Sequence, residues 1–104
     1  MNKSVKIMFS VVALAMSAGV QANRSDTSVC NDLQELGYKI MELRQLGVPV
    51  SQVIAASDGN KTVNSIIISA YEEMQYSTKE YQIRASREFA NKVYIECFKA
   101  VSKK

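Results

Sequence analysis

Apolar residues in this chain recur at helical rather than alternating spacing, in segments separated by turn signals. In the first segment Val29, Leu33, Leu36, Ile40 and Leu43 share one arc at about 100° per residue. Cys30 and Met41 fall on its edge, with Asp32, Glu35, Lys39 and Glu42 opposite. The spacing predicts a helix from Ser28 to Leu46, after a short polar lead (Asn23 to Thr27). Gly47 at C′ and Pro49 two residues later stop it. A short second helix, Pro49 to Ser57, carries Val53, Ile54 and Ala56 and ends in the turn Asp58-Gly59-Asn60. A third helix runs from Thr62, read as its N-cap, to Tyr76, with Val63, Ile66, Ile67, Ala70, Tyr71 and Met74 on one face. The β-branched run Ile66-Ile67-Ile68 suggests a strand locally. No second strand pattern exists to satisfy its backbone, so helix is the better reading.

Ser77-Thr78-Lys79-Glu80 reads as a capping box, the serine oxygen accepting from the N3 amide while Glu80 reaches back. The helix it opens extends to Ser102. Ile83, Ser86, Ala90, Val93, Cys97 and Val101 form its expected core stripe, joined by Phe89 and Tyr94. At 1.5 Å per residue this helix is roughly 37 Å long, the expected spine of the molecule. The predicted fold is therefore all-α, a small bundle of three to four helices with a long C-terminal helix.

The residues before the bundle change where it should work. Lys3 and Lys6 precede an apolar run from Ile7 to Met16, followed by Ser17-Ala18-Gly19-Val20-Gln21-Ala22. This is the three-part pattern of a secretory signal, with the cut expected after Ala22 and Val20 at the −3 position. The run is shorter than the about 20 residues a bilayer span needs. No cysteine stands at the junction for lipid anchoring. Residues 1–22 are thus read as a signal peptide and 23–104 as one helical domain, released into the periplasm or secreted.

Charge and size then narrow the classes. Without Lys3 and Lys6 the 13 basic residues become 11 against 10 acidic ones, a net charge of +1. Lys99, Lys103 and Lys104 make only a short basic end, so nucleic acid is a poor partner. A domain of about 80 residues rarely gains more than about 3–5 kcal/mol from its core alone. The only cysteines, Cys30 and Cys97, stand near its two ends, on the apolar arcs of the first and last helices. In an exported chain they are read as one structural disulfide, closing a loop worth about 4 kcal/mol in the chain-entropy picture. No Cys-x-x-Cys spacing supports a redox pair.

Catalytic and metal chemistry has little to stand on. The chain holds no histidine, which removes the commonest general base and metal ligand. With both cysteines bonded no thiolate remains, and Asp58-Gly59-Asn60 is too short for an EF-hand loop. No phosphate-binding glycine loop or nucleophile elbow occurs. No cofactor and no metal are expected, and an enzyme working through distant carboxylates ranks third among the functions considered.

Two features break the local pattern and are the candidate sites. Arg44 falls within the apolar arc of the first helix, where a charge must pair or reach water. In the last turn it can cap free carbonyls; alternatively it lines a groove that receives a partner's carboxylate. On the last helix Tyr81, Arg84, Glu88, Asn91, Ile95 and Phe98 fall on one line opposite the core stripe. A central helix covered on two sides would bury Ile95 and Phe98, and that is the expectation for Phe98, with Arg84 exposed. Left uncovered, Tyr81, Arg84, Ile95 and Phe98 mark a partner or homodimer surface.

The set Cys30, Met41-x-x-Arg44-Gln45-x-Gly47-Val48-Pro49-x-Ser51, Ala70-Tyr71, Phe89 and Tyr94-x-x-Cys97 resembles a group of small exported, disulfide-stapled helical proteins of proteobacteria and their phages. The resemblance covers nearly all of residues 23–104. It implies a helical fold and a periplasmic site of action and supplies no activity. In layout alone the chain is similar to spackle-type phage proteins, which act in the periplasm against a lysozyme domain, and to acid-activated periplasmic chaperones. No residue motif is shared with either. The function expected is a non-enzymatic protein-interaction module acting on another periplasmic or envelope protein, in the manner of a phage-linked inhibitor or exclusion factor. The alternative is a small periplasmic chaperone, against which ten carboxylates without histidine leave no trigger near pH 6.

Overall fold

A computed structural model describes the backbone of residues 10–102 and the side chains of residues 27–102. The expected signal peptide, residues 1–22, and its junction after Ala22 lie outside the residues described in full. Four helices follow in order: α1 (Ser10–Gln45), α2 (Val50–Ala56), α3 (Lys61–Tyr71) and α4 (Lys79–Ser102). No strand occurs among the described residues. The helical bundle, its long C-terminal helix and the Cys30–Cys97 disulfide are all present.

Several boundaries differ from the expectation. α1 does not begin at Ser28 but runs unbroken through the polar lead. Residues 23–27 contain no proline, and extending a formed helix avoids the nucleation cost. At its other end Gly47, at φ 83°, closes a Schellman motif: the Val48 amide donates to the Leu43 carbonyl and the Gly47 amide to Arg44, each at 3.0 Å. The N-cap of α3 is Asn60 rather than Thr62. Its side-chain oxygen accepts from the Val63 amide at 2.9 Å. α4 is capped one residue later than the box predicted, by Thr78 Oγ1 accepting from the Tyr81 amide at 3.3 Å. The last correction is the end of α3, at Tyr71 rather than Tyr76, because residues 72–78 are drawn into a loop against α1.

α1, not α4, is the central helix. It packs lengthwise on α4 and on its other flank against α3, while α2 covers α3. The core is Ile40, Met41, Val53, Ile67, Ala70, Phe89 and Val93, with Leu33, Leu36 and Ile66 partly buried around it. Each such aliphatic side chain contributes about 1.5–3 kcal/mol when fully buried. The buried arc of α1 is rotated from the expected one: Cys30, Gly37, Met41 and Gln45 are buried while Val29 and Leu43 are exposed. Gly37 explains the rotation. A Cβ there would stand 2.9 Å from Val93 Cγ2, so α4 crosses α1 at this glycine and draws its whole register inward. Since α4 is covered by α1 on one side only, Phe98 and Ile95 are exposed (48 % and 52 %), which corrects the two-sided core expected for Phe98.

A clamped cleft and an apolar groove beside the fourth helix

The α3–α4 loop, residues 72–78, is held down by the last turn of α1. Arg44 donates from Nε and Nη2 to the Glu73 carbonyl at 3.1 and 2.8 Å, and its guanidinium lies 5.5 Å from the Tyr71 ring centroid. Gln45 is buried (2 % exposed) and acts in both directions. Its Nε2 donates to the Met74 carbonyl at 2.8 Å, and its Oε1 accepts from the Tyr76 amide at 2.7 Å. From α4, Gln82 Nε2 donates to the Tyr76 carbonyl at 2.8 Å. Tyr71 closes the clamp from α3 by donating its hydroxyl to the Val48 carbonyl at 2.6 Å. Burial pushes the Tyr71 phenol above its usual 10.0, with the Arg44 charge partly opposing.

These bonds satisfy backbone groups that an irregular segment would otherwise leave unpaired. They also fix what the loop presents. Between it and α4 lies a cleft of about 380 Å³ walled by Glu73, Tyr76, Tyr81, Arg84, Glu88 and Lys92, with Met41 and Phe89 at its base. The Tyr76 and Tyr81 rings pair at 5.9 Å between centroids, and Arg84 stands 5.9 Å from the Tyr81 ring. Both carboxylates in the wall are ion-paired, Glu73 with Lys92 at 3.1 Å and Glu88 with Arg84 at 3.6 Å. These exposed pairs contribute little stability.

The Glu73–Lys92 pair bridges the space between α3 and α4. Beyond it, toward the disulfide, a longer groove of about 690 Å³ opens on the same side. Leu33, Ile66, Phe89 and Val93 supply its apolar floor, and its walls are low because Thr62, Ser65 and Ser69 on α3 and Ala100 on α4 are small. Phe89 and Lys92 belong to both openings, so they form one continuous surface.

The structure brings together two of the sequence-derived candidates, Tyr81 and Arg84, and separates the rest. Arg44 lines neither opening. Its guanidinium is committed to the Glu73 carbonyl, which corrects the reading of Arg44 as a groove cation awaiting a carboxylate. Ile95 and Phe98 lie on the outer side of α4, away from both openings. Gln45, Glu73, Tyr76 and Lys92 were not found from the sequence. Gln45 alone left a signal, since a polar side chain four residues after Met41 stands in core register. Among the described residues no group of three or more acidic or cysteine side chains is placed to hold a metal. No helix of the described residues is long and apolar enough to cross a membrane. No protein-family model matches the chain, and no curated protein or solved structure matches it.

Proposed function

We propose that this chain is an exported, non-enzymatic protein-interaction module that grips a segment of another periplasmic or envelope protein along the α3–α4 side. The observation that carries this reading is the continuity of an apolar groove with a tyrosine- and arginine-walled cleft whose irregular wall is fastened by a buried glutamine. Tyrosine, arginine and methionine are the residue types enriched where protein interfaces concentrate their binding energy. A preformed cleft avoids the ordering cost that a free loop would incur on binding. The groove has the apolar floor and low walls that a helical segment needs, a recurring mode of peptide recognition. A phage-linked inhibitor or exclusion factor is the narrower form of this function, since such a role needs one partner held tightly.

The test is retention of periplasmic proteins on the immobilised exported protein. Ser69→Arg should fill the groove and Arg84→Glu should reverse the cleft, each abolishing retention of one species. Lys39→Glu, on the α1 face away from both openings, should retain it. A broad, weak set of retained proteins would favour the chaperone reading. Retention indifferent to Ser69 and Arg84 together would overturn the assignment of this surface.

A further inference from the structure

We propose that the Cys30–Cys97 disulfide is a latch on the groove, opened by a small thiol that attacks Cys97 from within the groove. Cys97 is half-buried and lines that opening, whereas Cys30 is 0 % exposed. Exchange begins when a thiolate attacks one sulfur of the bond and displaces the other. Only Cys97 can be reached, so the exchange runs in one direction. The thiolate bonds to Cys97 Sγ, the Cys30–Cys97 bond breaks, and its electron pair leaves on Cys30 Sγ, which takes a proton. A second thiol then frees Cys97 as a thiol and carries the first away as a disulfide. Two electrons have passed from the two thiols to the protein.

What the bond holds is the end of α4. The buried residues of α4 are Ser86, Phe89, Ala90 and Val93, and none lies beyond Val93. Among the described residues, the side-chain hydrogen bonds that tie α4 to other elements come from Gln82, Asn91 and Lys92, to Tyr76, Gln34 and Glu73. Past Val93 the polar contacts turn inward: Lys99 pairs with Glu96 and Ser102 donates to the Phe98 carbonyl, both within α4. The last two turns therefore rest on α1 through the disulfide, with only half-buried Tyr94 and Val101 beside it. A stretch that short is marginal as a helix in water once its tertiary support is gone. The same turns carry Glu96, Cys97, Ala100 and Val101, one wall of the groove at its disulfide end. Opening the bond lets that wall fray and the groove lose its shape. The coupling is reciprocal: an occupant that needs the wall makes the disulfide harder to reduce by the factor that reduction weakens the occupant.

Control of binding by the latch rests on the function proposed above, while the latch itself is tested without a partner. Protein recovered from the periplasm of a host expressing the full chain is exposed to glutathione, quenched in acid and mapped by mass spectrometry. The mixed disulfide should stand on Cys97 in at least about tenfold excess over Cys30. An equal or greater share on Cys30 would overturn attack from the groove. After full reduction by dithiothreitol, amides 96–102 should exchange hydrogen at least about tenfold faster while amides 83–93 keep their protection. An end of α4 that stays protected would overturn the latch, as would protection lost throughout α1 and α4 together. Retention of the periplasmic species should fall on reduction and return on reoxidation, and equal retention by the reduced protein would overturn control of the groove. If the oxidised protein retains nothing, the function proposed above fails, and the glutathione and exchange results still decide the latch.

Discussion

Replacing Gln45 by leucine asks how much the 72–78 loop depends on one buried amide. Leucine fills a similar volume, so little cavity is created and the loss falls on hydrogen bonding. The carbonyl of Met74 loses a donor at 2.8 Å and the amide of Tyr76 loses an acceptor at 2.7 Å. A buried polar group left without a partner costs about 1–3 kcal/mol. Both groups lie near the edge of the core, where water can reach them once the loop loosens, which sets each toward the lower end. The sum is about 2–4 kcal/mol, a large share of the about 5–15 kcal/mol that holds a domain folded. Gln45→Glu keeps the acceptor for Tyr76 but buries a charge against the Met74 carbonyl, and should be no milder. Urea unfolding followed by circular dichroism measures the total, and amide hydrogen exchange shows where it falls. The Tyr76 amide should lose protection before any amide of α1 or α4 does. A loss below about 0.5 kcal/mol, typical of an indifferent surface change, would refute this account if the Tyr76 amide also stayed protected.

Three further outcomes are expected. Replacing Cys30 and Cys97 by serine opens a link between residues 67 apart and should cost about 4 kcal/mol in denaturant unfolding, within the about 2–5 kcal/mol seen for small exported domains. Gly37→Ala gains about 1 kcal/mol of helix propensity but drives a Cβ to 2.9 Å from Val93 Cγ2 and 3.3 Å from Val93 Cβ, an overpacking worth about 1–3 kcal/mol. The variant should therefore melt lower than the parent, and in a Val93→Ala background the same change should become stabilising. Tyr71 has its phenol raised above 10.0 by burial, so the neutral form is the one the fold favours. Its contribution is complete below pH 10.0 and is lost as pH climbs through the raised value. Tyr71→Phe should flatten that alkaline decline, read as the difference in unfolding free energy between neutral and alkaline buffer.

Helix number, order and the disulfide were legible in the sequence because each rests on local or covalent chemistry. The 3.6-residue stripes mark α1, α3 and α4, Gly47 and Pro49 stop the first helix, and two cysteines have one intramolecular pairing open to them. Which face of each helix is buried was less legible. The arc of α1 was centred on its leucines, whereas the structure centres it on Cys30, Gly37 and Met41. The reason is that a glycine contributes nothing to an apolar pattern, yet it is where another helix can approach most closely. The reading of α4 failed for a related reason. A stripe shows which residues could be covered, but whether a second neighbour arrives depends on where α3 docks, and α3 docks on α1. The cleft was hidden for a third reason. Arg44 looked out of place on an apolar arc, and Gln45 was passed over, because their partners are backbone groups of Glu73, Met74 and Tyr76, about thirty residues onward. Backbone carbonyls and amides are the same at every position of a sequence, so only the tertiary path of the chain could reveal which of them those two side chains would meet.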